Sequence, residues 1–225
     1  SISKYVLSLT TTFLLTPKTK DGVFQNVQPI NFTYMKKIIL SVLFVAFQFT
    51  SLSAQNTFVD NGVVIPRTLE FKGKVMELSG FGVRSKMWID VYVQALYQSF
   101  YSDKPFEVMQ SNTEMAIRIQ ITSAMVSSGK LTRNFNSGFE RSAGANLEAL
   151  RPRIEKFKSY LSDQIVEKDV FNLIYNPADA SVYVYKNDEL KGTVPGIDFK
   201  IALFGIWLSN NPVDEQLKKD LLGIK

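Results

Sequence analysis

From Glu114 to Thr122 large apolar residues occupy every second position. Met115, Ile117, Ile119 and Ile121 fall on one side, Glu114, Ala116, Arg118 and Gln120 on the other. A period of two belongs to a β-strand, whose successive side chains point to opposite faces. A strand with one apolar face calls for antiparallel neighbours and a layer to cover that face. The stretch 87–98 carries the same pattern: Met87, Ile89, Val91, Val93, Ala95 and Tyr97 lie opposite Trp88, Asp90, Tyr92, Gln94, Leu96 and Gln98. Both read as strands with one buried and one wetter face. Thr68–Leu78 alternates more loosely, with Gly73 marking a hairpin turn or bulge. Val170–Tyr175, Ser181–Tyr185 and Leu190–Val194 return to strand, the last two joined by the turn signal Asn187-Asp188.

Helices interrupt this series twice. Ser127-Ser128-Gly129 supplies N-cap chemistry for a helix running to about Ser142. After the Gly144–Asn146 break, Leu147, Leu150, Ile154, Phe157 and Leu161 recur at helical spacing. Placing Pro152 in the first turn predicts a start near Leu150. Two helices, 197–208 and 213–222, flank Asn210-Asn211-Pro212 at the end of the chain. Strands, two helices, strands and two helices, with no βαβ alternation, describe an α+β fold: an antiparallel sheet covered on one face by helices.

The N-terminal quarter follows different rules. Met35-Lys36-Lys37 precedes the apolar run from Ile38 to Phe49, and small polar residues follow up to Ala54. A basic start, a short apolar centre and small residues are the parts of a secretory signal peptide. Cleavage after Ala54 is expected, which makes the mature protein periplasmic or secreted. The competing reading is a membrane anchor, but a span needs about 20 apolar residues and this run is shorter. Residues 1–34 read as an over-extended upstream segment, and 55–225 as the folded domain.

The net charge of +5 is explained by the same segment, because residues 55–225 hold 21 basic and 20 acidic groups. No basic patch argues for nucleic acid. Cysteine and histidine are both absent, which removes disulfides, the usual zinc sites and imidazole catalysis. No cofactor is implied. Carboxylate, hydroxyl, lysine, arginine and tyrosine chemistry remains.

Specific motifs then narrow the family. Gly192-Thr193-Val194-Pro195-Gly196-Ile197-Asp198-Phe199, Ala202-Leu203-Phe204-Gly205-Ile206-Trp207-Leu208, Asn211-Pro212-Val213-Asp214 and Leu221-Leu222-Gly223 resemble the end of bacterial chalcone isomerase-like proteins. Gly80-Phe81-Gly82-Val83-Arg84, followed by Val91 to Tyr97, resembles that family's first core hairpin. The resemblance runs from about Ile65 to Gly223. It implies an open-faced β-sandwich, in agreement with the element order.

The resemblance also bears on chemistry. In plant chalcone isomerases an arginine near the first hairpin stabilises an enolate-like oxygen, and Arg84 matches it. A threonine, a tyrosine, an asparagine and a late hydroxyl residue assist there. Their positions fall near Tyr92, Thr132, Phe139 and Ile206 or Trp207, so only the arginine is kept. Arg84 with Tyr92 is similar instead to the fatty-acid-binding branch of the fold, where an arginine and a tyrosine hold a carboxylate. A guanidinium gives paired, charge-assisted hydrogen bonds to such a head group, and a phenol adds a donor without charge. If the strand is unbroken, Trp88 shares the face of Arg84 and Tyr92. Trp88, Leu131, Phe135 and Phe139 are then candidate walls for an acyl chain, with Thr132 nearby.

Simpler roles compete. Arg84 could pair with Asp90, Tyr92 and Trp207 could be packing residues, Arg118 could be solvated, and Arg151, Arg153, Lys156 and Lys158 could form the wet side of a helix. Three functions therefore stay open: a carrier of a small apolar carboxylate, an intramolecular lyase, and a scaffold with no ligand. Oligomeric state is not encoded legibly.

Overall fold

The computed structural model describes residues 57–60 and 62–224. The expected upstream segment 1–34 and signal peptide 35–54 lie outside the described residues. Among those described, seven strands form one antiparallel sheet: β3 (Thr68–Phe71), β4 (Lys74–Lys86), β5 (Ile89–Gln98), β6 (Met115–Ile121), β7 (Val170–Asn176), β8 (Ser181–Lys186) and β9 (Glu189–Pro195). They stand in sequence order across the sheet. A separate two-stranded ribbon precedes them, β1 (Thr57–Asp60) with β2 (Val63–Pro66). The helices are α1 (Pro105–Gln110), α2 (Ser128–Ser142), α3 (Leu147–Ser159), α4 (Ile197–Leu208) and α5 (Glu215–Leu221). The α+β, open-faced β-sandwich architecture expected from the sequence is the one observed.

The alternating strands divide two apolar clusters between the faces of the sheet. On the helix side, Leu96, Ile117, Ile119, Leu173 and Val184 pack with Phe135, Phe157, Phe199 and Leu203. Helix α4 is apolar on nearly all sides and is buried along most of its length, as such a helix must be. On the opposite face, Val93, Ala95 and Tyr97 pack with Met76, Ala116 and Ile174 under Val63 and Ile65 of the ribbon. The Tyr97 hydroxyl donates to the Pro66 carbonyl at 2.8 Å and fastens ribbon to sheet. Both faces of β5 are thus dry, where the alternation alone suggested one wet side. Arg118, read as solvated, is half-buried and donates to Asn172 Oδ1 at 3.3 Å.

Three tight hairpins share one geometry. Each has two central residues at positive φ: Lys72-Gly73, Met87-Trp88 and Asn187-Asp188. Positive φ at both positions is the turn that matches the twist of paired strands, and Gly, Asn and Asp suit it. The first and third follow that chemistry and were legible. Met87-Trp88 does not, so the apparent strand 87–98 begins only at Ile89.

Two helix details depart from expectation. Helix α3 begins at Leu147, not near Leu150, because the 3₁₀ turn Gly144–Asn146 feeds straight into it. Pro152 falls in its second turn on the exposed side, where water can serve the carbonyl left without an N–H. Arg153, expected on the wet side, reaches across to Asp198 with contacts of 2.6 and 2.5 Å and so ties α3 to the start of α4.

Candidate functional site

A cavity of about 350 Å³ opens between β4, β5 and β6 of the sheet and helices α2 and α4. Its wall contains Arg84, Tyr92, Leu131 and Phe135 of the expected set, with Val91, Ile119, Asn134, Arg141, Ile206, Trp207 and Val213 added. Arg84 and Tyr92 are direct partners across β4 and β5, so their side chains rise beside one another from one face. Immediately beyond that pair the register slips, since Ser85 opposes Asp90 and leaves Val91 as an extra residue. Such a bulge re-aims side chains, and Val91 lies in the cavity wall.

Arg84 Nη1 lies 3.0 Å from Asp214 Oδ2 and also donates to the Ser85 carbonyl. Its anionic partner is therefore Asp214, and Asp90 bonds to the Ser85 hydroxyl at 2.6 Å instead. The other Asp214 oxygen caps α5, accepting from the backbone of Gln216 and Leu217 at 2.9 and 3.0 Å. This arrangement depends on two glycines. A Cβ on Gly80 would lie 2.1 Å from the Asp220 carbonyl oxygen, and one on Gly82 would lie 2.7 Å from the Asp220 side chain. Their bare backbones let α5 lie against β4, which sets its N-cap residue Asp214 within reach of Arg84, two positions beyond Gly82.

Tyr92 is buried and accepts a hydrogen bond from Trp207 Nε1 at 3.2 Å. Its own hydroxyl hydrogen has no acceptor among the described residues. Burial raises its pKa above the ordinary phenol value, opposed by the Trp207 bond and the Arg84 charge. The phenol is thus a neutral donor throughout the physiological range. Arg141 was not singled out in the sequence, yet its Nε is buried with no hydrogen-bond partner. The available signal was spacing: Leu131, Asn134 and Arg141 recur along one stripe of α2.

Three expected wall residues lie elsewhere. Trp88 is fully exposed at the hairpin tip, because the strand that would have aligned it with Arg84 turns at Met87-Trp88. Phe139 is wholly buried between Phe157 and Phe199, with ring centres 5.9 and 5.5 Å away, and belongs to the core. Thr132 is half-buried on α2 outside the cavity wall.

Arranged this way, the cavity wall combines the cationic side chains Arg84, Lys86 and Arg141 and the neutral Tyr92 phenol with aliphatic and aromatic residues. A family model described as chalcone isomerase-like matches residues 59–223. The chain belongs to the chalcone isomerase-like family. Within that fold it is similar to the crystal structure of a fatty-acid binding protein of Arabidopsis thaliana. The match has a TM-score of 0.56 at 17% sequence identity and covers 74% of this chain and 95% of the other. No curated protein matches the sequence. Gly80 and Gly82, in the segment that resembles this family's first hairpin, are the two glycines on which α5 rests.

Proposed function

We propose that this chalcone isomerase-like domain is an exported carrier of a fatty acid or similar apolar carboxylate, held in the cavity beneath α2 and α4. The carrying observation is Arg141, a guanidinium in the cavity wall whose buried Nε has no partner. A buried donor left unpaired is costly, so such a group marks a place where an acceptor belongs. Asp214 balances Arg84, so Arg141, together with Lys86 where the cavity meets the outer hollow, meets an incoming anion, and Tyr92 offers a neutral hydrogen bond from the same wall. Val91, Ile119, Leu131, Phe135, Ile206 and Val213 suit an apolar tail. The fatty-acid binding of the structural neighbour is in keeping with this reading. Export rests on the Met35–Ala54 pattern.

Laurate is a suitable probe, with dodecanol as its uncharged counterpart. Arg141→Gln should weaken laurate binding about tenfold or more, as loss of a hydrogen bond to a charged group does. Dodecanol affinity should change little. Calorimetry on both ligands reads the difference, and equal affinities of wild type and variant for laurate would remove the anion site. Mass spectrometry of the secreted protein should find Gln55 at its N-terminus.

A further inference from the structure

A second hollow of about 300 Å³ adjoins the cavity and shares Lys86, Val91, Leu131 and Asn134 with it. Over its outer rim stands the β4–β5 hairpin tip. Met87, Trp88 and Met125 are all exposed there, and Ile89 is at the margin of exposure. The residues of the tip are unusual for their position. Met87 and Trp88 have φ of 48° and 68°, a conformation unfavourable for bulky side chains. The two sister turns in the same sheet use Lys-Gly and Asn-Asp. Neither packing nor turn chemistry accounts for Met-Trp here, and strain accepted at an exposed position points to a contact outside the chain.

The charges around the tip identify that contact. Lys86, Lys130 and Arg133 rim the same hollow. No acidic residue occurs in 81–89 or 122–139, and Asp90 between them is engaged with Ser85. An apolar wedge ending in tryptophan and ringed by cations complements an anionic bilayer surface, where indole sits at the headgroup level and lysine and arginine meet lipid phosphates. Among the described residues no helix is long and apolar enough to cross a membrane.

We infer that the Met87-Trp88 tip docks on an anionic lipid surface and turns the adjoining hollow toward the acyl region. The inference deepens the carrier reading by naming where its ligand is collected. The test uses the full chain with phosphatidylglycerol–phosphatidylcholine vesicles beside pure phosphatidylcholine. Trp88 emission should shift to shorter wavelength and be quenched by brominated lipid on the anionic vesicles, with the effect falling as salt rises. The sister turns suggest the decisive variant, Met87→Asn with Trp88→Gly, which relieves the backbone. It should lose at least tenfold in cosedimentation with anionic vesicles while its thermal midpoint does not fall. Lys86→Glu with Arg133→Glu should abolish the preference for anionic lipid.

Absence of the emission shift, undiminished binding of the Asn-Gly variant, or equal binding to neutral vesicles would overturn the inference. So would a dimer in vesicle-free buffer that the variant dissolves, because the tip would then be a contact between copies. Laurate binding in the same buffer is read separately. Its failure would sink the carrier reading, and the vesicle result would still decide the docking.

Discussion

Lys200→Met should lower the unfolding free energy by about 3 kcal/mol at pH 9, measured by urea denaturation. Lys200 is fully buried on α4, and its Nζ donates to the carbonyls of Val108, Met109 and Ser111 at 3.0, 2.8 and 2.9 Å. These are carbonyls at the C-terminal end of α1, a set that a helix leaves without internal partners. The rings of Tyr175 and Phe204 stand 5.3 and 5.6 Å from the same nitrogen. At pH 9 the neutral amine still offers two N–H donors. Methionine keeps the chain length and apolar stem but removes both, leaving the Met109 and Ser111 carbonyls unpaired at about 1–3 kcal/mol each, while that of Val108 keeps the Ser111 hydroxyl.

The same residue predicts a pH dependence. Burial pulls its pKa down to about 7, from 10.5 in the unfolded chain. Below pH 7 both states hold the proton, and the cost of burying the charge is fully felt. Between about 7 and 10.5 the unfolded state binds more protons than the folded one, so stability rises with pH, by up to about 1.4 kcal/mol per unit. The methionine variant lacks that slope. The gap between the two proteins should therefore be widest at alkaline pH and narrow toward neutrality. A gap independent of pH would show that Lys200 is charged throughout.

Gly80→Ala should be comparably damaging, with a loss of about 3 kcal/mol and a matching fall in the thermal midpoint. The new Cβ would meet the Asp220 carbonyl oxygen at 2.1 Å, and the Leu221 oxygen and Gly223 nitrogen at 2.8 Å. All three are backbone atoms, so no rotamer change gives relief and the end of α5 has to move off the strand. Inserting a methylene into well-packed structure typically costs about 1–3 kcal/mol, more where the backbone must shift. Gly129→Ala is the control. Its Cβ would find Arg133 Nη1 at 3.6 Å and otherwise open space, inside the first turn of α2. Alanine is the better helix former, so that variant should be neutral or slightly more stable.

Most of the architecture was legible because its signals are local. Ser127 does cap α2, accepting from the Lys130 backbone at 3.4 Å. Gly73 and Asn187-Asp188 stand in turns, and the apolar period of β6 and the near-unbroken apolar run of α4 mark buried elements. What escaped the sequence involves cancelling or non-local signals. Met87-Trp88 continues an alternating pattern through a turn, which concealed the hairpin and placed Trp88 in the wrong location. Helix α1 is too short for a 3.6-residue period to emerge, and the β1–β2 strands have four residues each. The bulges at Ser79 and Val91 leave no trace in composition. Of the cavity wall, the family motif pointed to Arg84 and Tyr92, and Leu131 and Phe135 were expected as apolar walls. Arg141 reads in sequence like any surface charge, and Asp214 lies 130 positions from the arginine it meets.

Asp214 divides its two oxygens between the cavity and the last helix, one to Arg84 and the other to the backbone of α5. The two ends of the domain thereby share a thermodynamic account. An anion that competes for Arg84 changes what Asp214 gives to the helix, and the free energy of that change is reciprocal. If the carrier reading holds and its anion draws Arg84 from Asp214, whatever clamps or frays the C-terminal helix would alter ligand affinity in turn, with no contact to the ligand.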